Sequence, residues 1–446
     1  YPKDELERLW KDVLLCQFHD VLPGSSIEAV YHDTSKIYQN VEFEVSKIRE
    51  IALRHLFGIP NNHHNASRSE KFGEVVLFNS TPFERSEVII LPWNPDPESP
   101  QPGVLAVSGV PGLSMTTLKD HRVSQVNEGV TVTMENDAYV LENKYLRIVA
   151  NSHGQLVSIY DKLNAREVIQ AGQVANSIWL YDDRPNSWDA WDVEVFYEET
   201  GTCVDGVDCS VEIGMNGPVL ASIVRRVKIT ERSQITQIIS INCLSPQIDF
   251  FTSLDWAESH KLLRVLFPVS VRSDHGVYEC PFGQVRRPTH SNTSWDEARF
   301  EACGHRYVDL SEEGYGVALL NDSKYGHSIR GQTIGMSLLR APKQPDATCD
   351  MSKHIIRYAL LPHKGTVVEG SVIAAAYQFN NPLRWTAAPT SSYDPGWLGI
   401  PFVTVQPLIL DGCKMAEDDE EGKVILRLYE GHGSRGVAQL KLHPKL

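Results

Sequence analysis

The sequence lacks long hydrophobic runs and clusters of basic residues. No apolar stretch approaches the roughly 20 residues that a membrane-spanning helix needs, so we expect no membrane partner. Lysine and arginine number 42 against 57 acidic residues, which gives a net charge of -15. Nucleic-acid binding depends on a positively charged face, so we expect no nucleic-acid partner either. A neutral ligand fits this charge balance.

The cysteines are few and form no metal-binding pattern. The eight are scattered along the chain without a Cys-x-x-Cys pair, so a structural zinc site is not expected. Free thiols in a reducing compartment are the simplest interpretation and favour the cytoplasm. Four Asn-x-Ser/Thr sequons point the other way, which leaves a vacuolar or lysosomal lumen as the alternative.

The amino terminus has neither an initiator methionine nor a signal peptide. The chain begins Tyr1-Pro2-Lys3-Asp4 and enters an amphipathic pattern directly, without the apolar core of a secretory signal. We therefore expect it to be a piece of a longer protein.

Two helices are predicted at the start of the chain. Apolar residues recur every three or four positions from Asp4 to Asp20 and from Ser26 to His55, which is the spacing of a one-sided helix. Pro23-Gly24 separates the two patterns, because proline removes an amide donor and glycine tolerates unusual backbone angles. An antiparallel helical hairpin over residues 1–58 follows.

The hydrophobic period then changes from 3.6 to 2, which indicates β-strands. After a polar linker at 59–73 we predict a small β-sandwich at 74–135 and a much larger one at 136–383. A second linker at 384–400 precedes an incomplete β domain at 401–446. The predicted fold class is α+β multidomain, with a helical hairpin followed by large, mainly antiparallel β-sandwich domains.

His19 and Asp20 are the first candidate site residues. The helical pattern places them at the end of the first helix, beside the Pro23-Gly24 turn. An imidazole there can bind a metal, and an adjacent carboxylate can orient the imidazole or accept a hydrogen bond from a substrate hydroxyl. The alternative is a solvated pair that interacts only with the helix dipole.

A second candidate site interrupts the strand pattern between Asp182 and Asp192. Trp188 and Trp191 alternate there with Asp189 and Asp192. Indoles stack on the apolar faces of sugars, and carboxylates accept hydrogen bonds from sugar hydroxyls. The alternative is a structured loop whose tryptophans cover a sheet edge.

Both motifs resemble one enzyme family. The run Gln17-Phe18-His19-Asp20-Val21-Leu22-Pro23-Gly24-Ser25 is similar to a signature of the middle domain of glycoside hydrolase family 38, the retaining α-mannosidases. The run from Tyr181 to Asp192 is similar to a signature of the cytosolic and vacuolar branch of that family. Further blocks similar to this branch lie at 287–296, 319–326 and 338–346.

The resemblance implies a site that is shared with another part of a longer enzyme. It implies that His19 binds one zinc ion, with cobalt as another divalent candidate, and that Asp20 binds sugar hydroxyls. It places the tryptophan-containing segment at the wall of the zinc pocket and Arg340 near the substrate. The implied partners are mannose-containing oligosaccharides, and a homo-oligomer is left open. The implied fold of the large sandwich is a galactose-mutarotase-like supersandwich.

No catalytic residue is expected within this chain. In the family, the nucleophile and the general acid belong to an α/β domain, and this sequence has no alternating βαβ region. Retaining hydrolysis needs two carboxyl groups about 5 Å apart, and a catalytic zinc normally has three protein ligands. The chain alone is therefore expected to be inactive. The competing class is a non-catalytic carbohydrate-binding or scaffold protein.

Overall fold

A computed structural model describes residues 1–56, 74–93, 101, 103–123, 125–204, 208–388, 399, 401–417 and 422–444. The linker predicted at 59–73 lies outside these residues. Helices occupy the start of the chain, and antiparallel sheets form most of the rest.

The first helix, α1 (Lys3–Leu15), contacts the second, α2 (Glu28–Leu56). Leu9 is the buried residue of α1, as expected for an apolar stripe that faces a neighbouring helix. The predicted antiparallel arrangement of the two helices stays a prediction.

The end of the first helix differs from the sequence prediction. Helix α1 stops at Leu15, and a series of turns follows, in which the amides of Val21 and Leu22 both donate to Phe18 O at 2.9 and 3.0 Å. His19 and Asp20 therefore lie in these turns and not at the end of a helix. Asp20 favours a turn because its side chain competes for local hydrogen bonds, and its Oδ1 accepts from Ser25 Oγ at 3.2 Å.

The described residues contain 29 strands, whose pairings are antiparallel. Their bounds are β1 (Glu74–Asn79), β2 (Arg85–Ile90), β3 (Val104–Val110), β4 (Ser114–Thr117), β5 (Thr131–Glu135), β6 (Ala138–Glu142), β7 (Leu146–Ala150), β8 (Leu156–Asp161), β9 (Arg166–Glu167), β10 (Ser177–Asp182), β11 (Thr202–Cys203), β12 (Cys209–Asn216), β13 (Leu220–Lys228), β14 (Gln234–Asn242), β15 (Ile248–Trp256), β16 (Lys261–Pro268), β17 (His275–Cys280), β18 (Gly283–Pro288), β19 (Ala302–Cys303), β20 (Tyr307–Glu312), β21 (Tyr315–Asn321), β22 (Gly326–Arg330), β23 (Thr333–Arg340), β24 (Ser352–Lys364), β25 (Arg384–Ala388), β26 (Val403–Gln406), β27 (Ile409–Met415), β28 (Val424–Tyr429) and β29 (Gln439–Leu442). Shorter helical segments are α3 (Leu118–His121), α4 (Ser294–Glu297), α5 (Val372–Asn380) and a 3-10 helix (Val195–Thr200).

Three sheets enclose the main hydrophobic core. The nine-stranded sheet has the order β12-β13-β14-β15-β24-β21-β20-β17-β18, the six-stranded sheet β11-β10-β16-β23-β22-β19, and the five-stranded sheet β5-β6-β7-β8-β9. One cluster of buried side chains draws on all three. Within it the rings of Phe250 and Tyr358 stack at 4.9 Å. The galactose-mutarotase-like assignment stays a prediction.

Two predicted domain boundaries are wrong in detail. The boundary at 135/136 divides the β5–β6 hairpin, whose Val132 is buried in the main core. Residues 384–388, predicted as linker, form β25, which pairs with β1 from Phe78↔Arg384 to Glu74↔Ala388. Local composition gave no sign of the β1–β25 pairing, because the two strands lie about 300 residues apart in the chain.

Three chain segments meet at one end of the strands of the six-stranded sheet. In the register, Asp182 at the end of β10 faces Lys261 at the start of β16, and Leu262 faces Arg340 at the end of β23. The segment that follows β10 therefore leaves the sheet beside Arg340.

Candidate functional site

The segment after β10, residues 183–192, is the tryptophan loop, and Arg340 holds it to the sheet. Arg340 Nε donates to Asp183 Oδ2 at 2.6 Å. Its Nη2 donates to the carbonyls of Asp189 at 3.0 Å and Asp192 at 2.7 Å, and Nη1 to Ala190 O at 3.5 Å. One planar guanidinium thus connects both ends of the loop.

Asp183 is the buried partner of this arrangement, with an exposed fraction of 2%. Burial raises the pKa of its carboxyl, and the adjacent Arg340 guanidinium opposes that rise. A buried carboxylate is stable only when it is paired, so the ion pair is a structural requirement of the loop. Sequence reasoning did not single out Asp183, because its partner lies 157 residues away.

Asp189 also faces the protein. Its Oδ2 accepts from the backbone amides of Lys343 and Gln344, and His260 Nε2 lies 3.4 Å from the same oxygen. This carboxylate was predicted to bind substrate. In the structure its Oδ2 fastens the tryptophan loop to the segment after β23, and a sugar contact stays a prediction.

The two indoles are the exposed part of the loop. Trp188 is 75% exposed and Trp191 is 58% exposed. Trp188 has a φ of 58°, and its carbonyl accepts from the amides of Trp191 at 2.7 Å and Asp192 at 3.0 Å. The tight turn presents both rings to solvent, where a sugar face can stack on them. They do not plug the sheet edge, which was the alternative interpretation.

His19 and Asp20 are also accessible. Their side chains are 66% and 42% exposed, and His19 Nε2 lies 3.3 Å from Asp20 Oδ2. The turn is held to helix α2, because Tyr31 Oη donates to Asp20 O at 3.3 Å and accepts from Ser26 N at 2.7 Å. The imidazole is therefore accessible to a metal ion, while the backbone of the turn is held in place.

A cleft of about 370 Å³ has both candidate segments in its walls. Pro23 and Gly24 of the turn after Asp20 line one part, and Ala190 and Arg340 line another. The cleft brings together the turn and the base of the tryptophan loop, although neither His19 nor the indoles line it.

The described residues alone do not form a metal centre. No group of three or more His, Cys, Asp or Glu side chains in this part of the chain is placed to hold an ion. His19 fits the role of one ligand, since its ring is exposed and next to a carboxylate. Any zinc bound here needs ligands from elsewhere.

Sequence reasoning missed several polar residues of the cleft. Glu301, Lys324 and Asp350 all line it. Lys324 lies in one of the blocks that carried the family resemblance, but a single lysine has no distinctive sequence signal.

Exposed indoles at the end of a large antiparallel sandwich, beside a cleft with charged side chains, offer the stacking faces and hydrogen-bonding groups that a sugar can use. Comparison with known proteins is more specific. Residues 1–56 match the alpha mannosidase middle domain, and residues 141–348 match the glycosyl hydrolases family 38 C-terminal domain. These two matches include more than half of the chain, which belongs to glycoside hydrolase family 38.

Curated relatives agree with this assignment. The chain is 38% identical to human alpha-mannosidase 2C1 and 36% identical to Dictyostelium discoideum alpha-mannosidase G, and each alignment covers 97% of this chain. It is 31% identical to the Saccharomyces cerevisiae alpha-mannosidase over 99%. The chain spans about two fifths of each relative: 41%, 43% and 39%.

A solved structure shares the mostly antiparallel β fold. An alpha-mannosidase from Enterococcus faecalis superposes with a TM-score of 0.79 at 15% identity, over 99% of this chain and 60% of the bacterial chain. Among the described residues, no helix combines the length and the hydropathy needed to cross a membrane.

Proposed function

We propose that this chain is the middle and C-terminal part of a zinc-dependent, retaining α-mannosidase. Its substrates would be free or released oligosaccharides with terminal α-linked mannose, and its compartment the cytoplasm. The family assignment supports the reaction class. The observation that carries the site is a cleft whose walls include both the turn after Asp20 and the base of the tryptophan loop.

In this proposal His19 supplies one zinc ligand and Asp20 binds a sugar hydroxyl. The Asp20 carboxylate already accepts from Ser25 Oγ and lies 3.3 Å from the imidazole, so it can orient the ring as carboxylates do beside metal-bound histidines. Zinc, when bound, would polarise and position oxygen atoms of the sugar.

The tryptophan loop would form one wall of the sugar pocket. Its indoles are exposed while its backbone is held by Arg340 and Asp189. A wall that is fixed before binding loses little conformational entropy when a sugar stacks on it.

The remaining zinc ligands, the nucleophile and the general acid would come from a further part of the polypeptide. The exposed apolar side chains on and after α1 support a covering partner: Trp10 at 62%, Leu14 at 57%, Leu15 at 63% and Phe18 at 59%. Contiguous exposed apolar residues are typical of an interface. The chain alone would then bind zinc weakly and hydrolyse nothing.

The test is His19→Ala in the full-length enzyme that contains this chain, with His32→Ala as the control. His32 is similarly exposed, at 68%, and lies on helix α2. We expect the His19 variant to lose zinc by elemental analysis and α-mannosidase activity on an aryl mannoside, while its far-UV spectrum is unchanged. Unaltered zinc content in this variant would remove His19 from the site.

A protein that binds mannosides but hydrolyses none in its full-length, zinc-loaded form would contradict the enzymatic proposal. It would support the non-catalytic carbohydrate-binding class instead.

A further inference from the structure

Lys324 occupies a fixed position in the cleft described above. It lies in the turn between β21 and β22, and its backbone amide donates to Asn321 Oδ1 at 2.8 Å. Asn321 is fully buried, and its Nδ2 donates to His305 O at 2.6 Å. The turn is thus tied to the sandwich, and the lysine side chain extends from a rigid base.

The ammonium group of Lys324 has no hydrogen bond or ion pair with any described residue. Burial lowers its pKa, and the charges of Asp350 and Asp322 oppose that effect from beyond ion-pair distance. An ammonium has three donors and no acceptor, and its partial removal from water is unfavourable without a partner. A ligand with hydrogen-bond acceptors would supply what the protein does not.

Two carboxylates of the cleft are hydrogen-bond acceptors, and one of them, Glu301, is held in place. The Glu301 carboxylate lies 3.5 Å from Arg264 Nη2 and accepts from Tyr197 Oη at 3.4 Å and from Ser337 Oγ. Asp350 lines the same cleft. Lys324 and Arg340 balance the two carboxylates of the lining, so the cleft has no net formal charge and suits a neutral ligand better than an ion.

The size and the aromatic lining fit a sugar. The volume of about 370 Å³ is within the range of about 300–1,000 Å³ that is usual for ligand pockets. Tyr325, next to the lysine, is 48% exposed and offers a ring face. Hydroxyl groups both donate and accept, so a neutral sugar can bond to the lysine and to the carboxylates together.

We propose that this cleft binds the sugar units of an oligosaccharide beyond the terminal mannose, and that Lys324 determines specificity by donating to their hydroxyl oxygens. The inference rests on the proposed function. Ala190 of the tryptophan loop and Arg340, which holds that loop, both line the cleft, so the cleft adjoins the loop that is proposed to form one wall of the mannose pocket.

The test compares Lys324→Met with Lys353→Met in the full-length enzyme. Lys353 is exposed on β24 and does not line the cleft. For each variant, kcat/KM is measured with α-mannotriose and with p-nitrophenyl α-mannoside, which lacks the additional sugars. For Lys324→Met, a charge-assisted hydrogen bond of ordinary strength predicts about a tenfold larger loss on mannotriose than on the aryl mannoside, whereas Lys353→Met should affect neither substrate.

A second variant, Asp350→Asn, keeps the local backbone. Asp350 has a φ of 59°, and asparagine tolerates that left-handed conformation. We expect the same selective loss, caused by exchange of an acceptor for an amide. Equal losses on both substrates, or no loss on mannotriose in either cleft variant, would overturn the proposal.

The proposed function can fail separately. If the unaltered protein hydrolyses neither substrate, the reaction assignment is wrong, and calorimetric titration with mannotriose then tests the cleft. Weaker binding by Lys324→Met than by Lys353→Met would keep the cleft as a sugar site. Equal binding by the two variants, or none by the unaltered protein, would overturn it.

Discussion

Replacing Arg340 by methionine should loosen the tryptophan loop and destabilise the fold. The substitution keeps most of the apolar stem but removes the bond to Asp183 and those to the carbonyls of Asp189, Ala190 and Asp192. Breaking a buried ion pair by removing one partner costs about 3–5 kcal/mol. Because the Arg340 side chain is 20% exposed, water compensates part of this loss, and we expect about 3 kcal/mol.

The loss should depend on pH in a defined direction. Without the guanidinium, burial and the charge of Asp189 raise the Asp183 pKa against only the weaker effect of His260, so the folded pKa should rise further above the unfolded value than it does now. A raised carboxyl pKa favours the protonated folded state, and its cost appears as pH increases from the unfolded pKa through the folded pKa. The variant should therefore be closest to the unaltered protein below about pH 4 and most destabilised near pH 7.

Urea denaturation at pH 4 and pH 7 measures both effects, with Arg299→Met as the control. Arg299 is exposed and has only a backbone bond among the described contacts. Adding Asp183→Asn completes a double-mutant cycle, in which the two changes should be strongly non-additive. A loss below about 1 kcal/mol at pH 7, as for a surface pair, or additive effects in the cycle, would refute the role given to Arg340.

Two further predictions concern the sandwich itself. Burial raises the pKa of Asp249 to about 6, so its ionisation should lower the stability of the fold as pH rises from about 4 to about 6. In urea denaturation, Asp249→Asn should therefore stabilise the protein by about 1–2 kcal/mol at pH 7.5 but little at pH 4. This gain is smaller than a fully buried carboxylate would give, because the Asp249 side chain is partly exposed. A Cβ at Gly316 would collide with Ser311 Oγ and His363 Cε1, whereas nothing lies within 4 Å of one at Gly283. Gly316→Ala should therefore lower the thermal midpoint, with a cost of about 2–3 kcal/mol, and an equal effect of Gly283→Ala would contradict this explanation.

Much of the fold was predictable because burial pattern and sequence pattern coincide. Helix α2 begins two residues after the predicted start at Ser26 and ends one residue beyond His55, since its apolar spacing persists throughout. The period of two that predicted the large sandwich is seen in β14, whose side chains alternate between buried and less buried positions. Where every second residue is apolar, the face of the sheet is already defined.

The pairings between distant segments were not predictable in this way. Strand β25 pairs with β1 across about 300 residues. Helix α5 was also not predicted, because its Val372, Ile373 and Ala376 are buried against the sandwich and the segment has the sequence of a continuous apolar run. Periodicity cannot separate such a buried helix from a strand.

The candidate site shows the same division between local and distant information. The indoles and the His19–Asp20 pair belong to short motifs, which a sequence displays directly. The atoms that hold the tryptophan loop belong to β23 and to the segment after it, and only the fold brings them together.

Arg340 was predicted near substrate, yet its guanidinium donates to one carboxylate and three carbonyls of the loop. An arginine has five N–H donors, and four hydrogen bonds within the protein leave little capacity for a sugar. Its effect on a mannoside would then be exerted through the orientation of Trp188 and Trp191, so changing Arg340 should alter the shape of the pocket wall more than the number of bonds to the sugar.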